Sequence, residues 1–314
     1  MSGEILLLDG PGGSASRLVG ALHTLTEEVP SSEFALIGGL AVMTRLGRVH
    51  RVTDDLDAAA QSVDGGPSRL SILVGGGESG RARHPVEGVK VDCIDVGSTP
   101  AADLDPGSLP EDQFDRAFVL AHRWALDSAT PAALTVVSGE RVPLATVTCR
   151  VATPAALVAM KLQSAPRRRA ERAHKGPNDY GDLYALFTQP ESLAEIAADL
   201  PGAPHGLGQW CAQRIELEFV TGAARTARAI RQTMLADPPT PADIQSTGRS
   251  VLNRIERRWN CSYFRRFAPD RRARRHLLSI GIGLGCRQES GGYAEHYPQV
   301  RDQFAPRRRL LLST

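Results

Sequence analysis

An α+β fold in two parts is what this sequence predicts, and three observations carry that expectation. Short runs of strand character, EFALI at 33–37, VKVDCIDV at 89–96 and RVPLATVTCRVA at 141–152, all fall in the first half. From there to about residue 260 the chain reads mostly as helix. The change coincides with Thr153-Pro154, a helix start with Thr as N-cap and Pro at the first helical position. The sequence therefore divides into residues 1–150, an α+β domain, residues 151–280, a helical domain, and residues 281–314, a basic tail.

Taken in order, SASRLVGALHTLTEE at 14–28 spaces Leu18, Leu22 and Leu25 near helical period. EFALI follows as a buried strand, then Gly38-Gly39, then a short helix from Leu40 to Leu46 that Gly47 ends. VTDDLDAAA at 52–60 is a second strand. A Gly/Ser/Pro-rich loop at 64–68 leads to SILV at 71–74, and 89–96 alternates as a strand. Residues 97–112 hold Gly, Pro and Asp and form a loop, and 141–152 is the last strand of the first part. Breaks at 176–178, 201–208 and 237–241 divide the helical part. Gly281, Gly283, Gly285, Gly291 and Gly292 leave the last 30 residues without an assignment.

Composition narrows the class. The 314 residues are 42% hydrophobic and 23% charged with a net charge of +2, ordinary values for a soluble globular protein. No apolar stretch approaches the length of a membrane span, and the start MSGEILLLDGPGG lacks the basic region of a signal peptide. Five widely spaced cysteines, Cys93, Cys149, Cys211, Cys261 and Cys286, form neither a disulfide framework nor a CxxC zinc site. The expected compartment is a reducing cytoplasm. The balanced charge hides an asymmetry. Residues 249–314 hold fifteen Arg, no Lys and five acids, a net of +10, so the remainder carries −8 beneath the overall +2. An acidic body with a basic tail points to a polyanionic partner. Only Lys90, Lys161 and Lys175 are lysines, so each is a candidate for a place that needs a compact ammonium.

Asp55 and Asp57 are the most informative residues. On a strand, positions i and i+2 share a face, so two carboxylates stand side by side and their repulsion calls for a cation. Oxygen ligands of this kind suit a hard divalent ion such as Mg²⁺. Asp92 on another strand is the candidate third carboxylate, and Asp95, facing the other way, is its rival. Gly38-Gly39, sixteen residues before Asp55, lies where a strand meets a helix, a place where backbone N–H groups can approach a phosphate.

The string GGLAVMTRLGRVHRVTDDLD resembles the first motif of the DNA-polymerase-β-type nucleotidyltransferases, Gly-Gly/Ser followed by Asp-x-Asp. More narrowly, His50-Arg51-x-Thr53-x-Asp55-Leu56-Asp57 is similar to the form in AbiEii-type toxins, a group that includes the mycobacterial nucleotidyltransferase toxins of toxin–antitoxin systems. TPAALVAMKLQSA supplies a helical Lys161, and NDYGDLYAL supplies Asp179-x-x-Asp182-Leu183, in the family's order. The chain departs at Asn178, where the family usually has Arg. Lys175 or the Arg167–Arg169 run then becomes the candidate for that charge. The resemblance spans roughly residues 33–190.

That resemblance implies a polymerase-β-like nucleotidyltransferase domain, a mixed sheet with flanking helices, followed by a mainly helical domain. It implies transfer of NMP from an NTP to an RNA 3′ hydroxyl, with the tRNA acceptor end as target, a block to translation, and a cognate antitoxin as partner. Asp55, Asp57, Lys161 and Asp179 would be catalytic. Gly38, Gly39, Arg51, Thr53, Lys161 and Asp182 would contact the nucleotide. Asp55, Asp57 and Asp92 would hold two Mg²⁺ ions. The residues alone predict that the Lys161 stem packs while its ammonium reaches a cleft, that Asp179 and Asp182 share a helix face, and that Asn178 caps that helix.

Two other functions fit the same motifs. One is the same chemistry on a protein or small-molecule hydroxyl. The other is a non-catalytic RNA- or partner-binding role on the same fold, against which the acidic set and Lys161 argue. The segment 249–275, with Trp259, Tyr263, Phe264 and Phe267 among arginines, suits RNA binding by phosphate contact and stacking, and equally suits an amphipathic helix with a solvated Arg face. GGG at 75–77 and GIGLG at 281–285 lack the context of a nucleotide loop.

Overall fold

The computed structural model describes residues 3–9, 13–75, 86–171, 176–233 and 237–267. Six strands, β1 (Gly3–Leu8), β2 (Phe34–Ile37), β3 (Asp55–Gln61), β4 (Lys90–Val96), β5 (Thr130–Val137) and β6 (Pro143–Val151), make one mixed sheet in the order β1-β5-β6-β2-β3-β4. The pairs β1–β5, β2–β6 and β3–β4 are parallel, and β2–β3 and β5–β6 are antiparallel. The class is α+β, as expected. The helices among these strands are α1 (Ser14–Glu28), α2 (Gly38–Leu46), α3 (Arg69–Leu73) and α4 (Gln113–Asp127). After β6 come α5 (Pro154–Glu171), α6 (Gly176–Thr188), α7 (Pro190–Asp199), α8 (Leu207–Ile215), α9 (Ala223–Arg231) and α10 (Pro241–Phe267), with a π-helical turn, Glu216–Thr221, between α8 and α9.

Local chemistry explains the boundaries. Phe34, Ala35, Leu36 and Ile37 are all buried, as a central strand covered on both faces requires. Gly47 ends α2 in the left-handed conformation with φ 62°, as its sequence position predicts. The Thr153 carbonyl accepts from the Leu157 N–H at 3.0 Å and starts α5 where expected. The strand-to-helix change expected near residue 150 falls between β6 and α5. Other expectations shift. Strand β3 begins at Asp55 rather than residue 52, which leaves Thr53 on the approach to it. Helix α2 begins at Gly38 rather than Leu40, so both glycines lie in its first turn. Helix α6 begins at Gly176, so Asn178 sits inside the first turn and does not cap it. SILV at 71–74 falls largely in the short helix α3, which Ser68 caps by accepting from the Ser71 N–H.

Three elements have no counterpart in the sequence reading: β1, α4 and β5. Helix α4 carried a legible signal, since the Asp112 carboxylate caps it by accepting from the N–H groups of Phe114 and Asp115, each at 2.9 Å. Its Ala117, Leu120, Ala121 and Ala125 follow at helical period and are buried.

One continuous core joins the sheet to the later helices, from Ile5, Leu36, Leu56 and Leu134 to Leu157, Leu183, Phe219 and Ile255. The sheet itself has a narrow seam. Strands β2 and β6 meet through one residue pair, Leu36 with Val151, plus the bond from the Ala152 N–H to the Leu36 carbonyl at 3.0 Å. Arg45 reinforces it from α2. Its guanidinium donates to the carbonyls of Ala152 and Val151 and to the Thr130 hydroxyl, at 2.9, 2.5 and 2.8 Å. Hydrogen bonds from a charged donor are each worth about 1.5–3 kcal/mol in favourable settings. Arg45→Ala is expected to lower stability by about 2 kcal/mol, read as a lower urea midpoint with unchanged slope. An unchanged midpoint would show that the seam holds without this side chain.

Candidate active site

Three strands converge on the acidic residues. Asp57 lies opposite Ile37 of β2 on one side and opposite Asp92 of β4 on the other, and Asp55 lies opposite Lys90. Asp55 and Asp57 share a face, while Leu56 between them is buried on the opposite one. The half-buried carboxylates of Asp55, Asp57 and Asp92 each offer an oxygen, and these lie within 4.8 Å of one another. The Thr53 hydroxyl donates to Asp55 at 3.0 Å, and the Lys90 ammonium donates to Asp92. Asp95 does not join them. It turns to α3, where it accepts from the hydroxyls of Ser68 and Ser71 at 2.5 and 2.7 Å. Of the two rivals, Asp92 is the one beside Asp57.

Crowding has an electrostatic consequence. Burial pushes the Asp57 carboxyl up to about 6, and the Asp55 charge adds to this, with Asp92 contributing less. Lys161 and Arg168 pull the other way without cancelling it. A set of oxygen donors this close, with Lys90 as its directly bonded counter-ion, has the chemistry of a divalent-cation site.

The glycines are required by close approach. A Cβ on Gly38, whose φ is +72°, would stand 1.9 Å from an Asp57 carboxylate oxygen and 2.6 Å from the Asp57 Cβ. A Cβ on Gly39 would stand 2.0 Å from Nη2 of Arg51. The pair thus lets Asp57 and Arg51 lie flat against the start of α2, beyond any contact with a phosphate.

Behind this surface is a buried ion cluster. Asp182, with no solvent exposure, accepts from Nε and Nη2 of Arg51 at 2.8 and 3.0 Å and from Nε2 of His50 at 2.8 Å. The Lys161 ammonium lies 2.8 Å from Asp182 and 2.7 Å from Asp179. Asp179 also accepts from the Ser164 hydroxyl at 2.9 Å and from Arg168 at 3.2 Å. Burial alone would raise the Asp182 pKa, but Lys161, His50 and Arg51 hold it far below the usual carboxylate range. Burial likewise works against the Lys161 charge, and Asp179 and Asp182 outweigh it and raise that pKa.

The ten residues singled out in the sequence form one connected constellation. Gly38 touches Asp57, Gly39 touches Arg51, and Arg51, Asp182, Lys161 and Asp179 follow as a chain of contacts. Asp179 and Asp182 share the helix face that meets Lys161, as their spacing predicts. The Lys161 ammonium departs from its expected position. It is 6% exposed and engaged by two carboxylates, so it does not extend freely into a cleft. Arg168, half-exposed and bonded to Asp179, comes from the arginine run considered as a substitute for Asn178, while Lys175 lies outside the described residues. Sequence reasoning missed Ser164 and the pairing of Lys90 with Asp92, because neither belongs to a spaced motif.

Comparison with protein-family models, with curated proteins and with solved structures finds no match to this chain.

Two expectations follow. Lys161→Met leaves Asp179 and Asp182 short of a buried partner and is expected to cost about 3–5 kcal/mol, measured by chemical denaturation. Asp57→Asn is expected to stabilise the metal-free protein by about 1–3 kcal/mol at pH 8. The sign follows from the raised pKa. Above about 6 the folded state carries an unfavourable carboxylate that the amide removes. Between 6 and the unfolded value near 3.8 that penalty fades, so the gain in Tm in EDTA should shrink toward pH 4. A gain independent of pH would show that charge is not its cause.

Proposed function

We propose that this chain is a nucleotidyltransferase that moves a nucleoside monophosphate from an NTP to the 3′ hydroxyl of RNA, at the acceptor end of tRNA. The observation that carries the reading is the Asp55, Asp57 and Asp92 triad on adjoining strands, set directly against the Gly38-Gly39 turn. Asp55, Asp57 and Asp92 would hold Mg²⁺, which would supply charge neutralisation for the phosphates. Arg51, Lys161 and Arg168 bring three positive charges to the two carboxylates of Asp179 and Asp182. The excess cation lies beside the triad and favours a triphosphate there. In the step itself the acceptor oxygen bonds to the α-phosphorus, the bond to the β-phosphate oxygen breaks, pyrophosphate leaves, and the hydroxyl proton passes to solvent. The protein's part is positioning and charge stabilisation.

Extending the AbiEii-type resemblance, the chain acts as the toxin of a toxin–antitoxin pair in the cytoplasm. It blocks aminoacylation and is restrained by a cognate antitoxin. Among the described residues no helix is long and apolar enough to cross a membrane. Helix α10 exposes Arg249, Arg254 and Arg257 on a face opposite buried Ile244, Val251 and Ile255, a surface suited to RNA phosphates. Trp259 packs toward the core and donates to the Pro201 carbonyl at 3.3 Å. The side chains of Tyr263, Phe264 and Phe267 and the tail 268–314 lie outside the described residues.

The test mixes the protein, Mg²⁺ and total tRNA with each α-labelled NTP in turn, beside Asp57→Asn. That control is expected to fold at least as well as the native chain, so its loss of label reports chemistry. Label in RNA from one nucleotide, absent in the control, is the expected result. Label in protein instead would move the acceptor to a protein hydroxyl, and no label anywhere would end the transferase reading.

A further inference from the structure

We infer that the cleft between α4 and α8 is a nucleobase site. The cleft encloses about 240 Å³ and is lined by Gln113 and Arg116 from α4, His205 from the turn before α8, and Gln209, Trp210 and Gln213 from α8, over a floor that includes Leu120.

Three features point to a flat heterocycle. His205 is held in the left-handed region at φ 48°, and its Nε2 is shielded from solvent with no hydrogen-bond partner among the described residues. A shielded ring nitrogen without a partner costs about 1–3 kcal/mol unless a ligand completes it. Three carboxamides, Gln113, Gln209 and Gln213, line the same cleft, each presenting a donor beside an acceptor, the pattern that the edges of nucleobases also present. Trp210 supplies an aromatic surface, half-buried and perpendicular to Phe114 at 5.7 Å between centroids. Base stacking on such a ring is worth about 1–3 kcal/mol. The formal positive charge in the lining is Arg116, and its Nε already donates to the Pro110 carbonyl at 2.9 Å. The rest of the polar lining is carboxamide and imidazole, which suits the edge of a base.

Side-chain contacts also lead from the cleft toward the candidate active site. Arg167 and Arg214 lie over the Phe114 ring at 5.7 and 5.0 Å. Arg167 bonds Asp115 at 2.7 Å, and its neighbour Arg168 bonds Asp179. Arg168, Arg167, Phe114 and Trp210 thus run from Asp179 to the cleft, with Arg214 over the same Phe114 ring, and guanidinium groups beside aromatic rings suit a single-stranded nucleic acid. The base belongs either to the NTP or to the acceptor RNA. In that respect alone the assignment rests on the transferase reading.

The experiment titrates the full chain calorimetrically with the four nucleosides, then with the four NTPs and with short single-stranded RNAs ending in each base. It is repeated with Gln113→Ala, Gln213→Ala and Trp210→Ala, with thermal melting as the folding check. At least one nucleoside is expected to bind, about five- to tenfold more weakly in either glutamine variant. Trp210 packs against the core, so the exposed glutamines decide the matter if Trp210→Ala melts early. A loss confined to NTP assigns the cleft to the incoming nucleotide, and a loss confined to RNA assigns it to the acceptor. Affinities equal in the native chain and both glutamine variants, or no binding of any probe, overturn the nucleobase site. Nucleoside binding that responds to the variants, from a protein that transfers no label, would retain the cleft and remove the transferase reading.

Discussion

The arrangement depends on one carboxylate that has left water entirely. Asp182 is surrounded by Lys161, from α5, and by His50 and Arg51, from the loop before β3. A buried charge of this kind is tolerable only when its partners are in place. Its presence therefore fixes the loop before β3, the middle of α5 and the first half of α6 relative to one another. Arg51, held there, lies against Gly39, and Gly38 in turn lies against Asp57. The position of the acidic triad is thus set from behind by an interaction that faces no solvent.

Two charge clusters of opposite excess result. The triad has three carboxylates with Lys90 bonded to one of them, and the cluster behind has three cations for two carboxylates. Neither is balanced alone. Burial, and after it the Asp55 charge, raises the pKa of Asp57, whereas Lys161, His50 and Arg51 hold that of Asp182 down. The arginine and aromatic strip along α4, α5 and α8 then extends from the cation-rich side.

Much of this was legible in the chain, and the residues show why. Asp55 and Asp57 were readable because strand period alone puts them on one face. Asp179 and Asp182 were readable because helix spacing does the same. Gly47, Thr153 and the breaks before α8 and α10 follow from backbone preferences that act within a few residues. What escaped depends on partners far away in sequence. The burial of Lys161 is decided by α6 and not by its own helix, and its stem-and-tip pattern equally fitted an exposed ammonium. The choice of Asp92 over Asp95 rests on Ser68 and Ser71, whose helix α3 has no strong periodic signal. Strands β1 and β5 pair with each other across more than a hundred residues, so neither announces the other locally.

The narrow join between β2 and β6 bears on when the protein can act during its own synthesis. Arg51 must find Asp182, which is 131 residues further along the chain. Leu36 must find Val151 before the two halves of the sheet are one. Contacts of such long range close late, because loop entropy opposes them until many others have formed. A chain emerging from the ribosome with β4 complete but α6 still unmade has its acidic triad and lacks the ion cluster that sets it in place. That order of assembly leaves the acidic triad without its supporting cluster until α6 has been made.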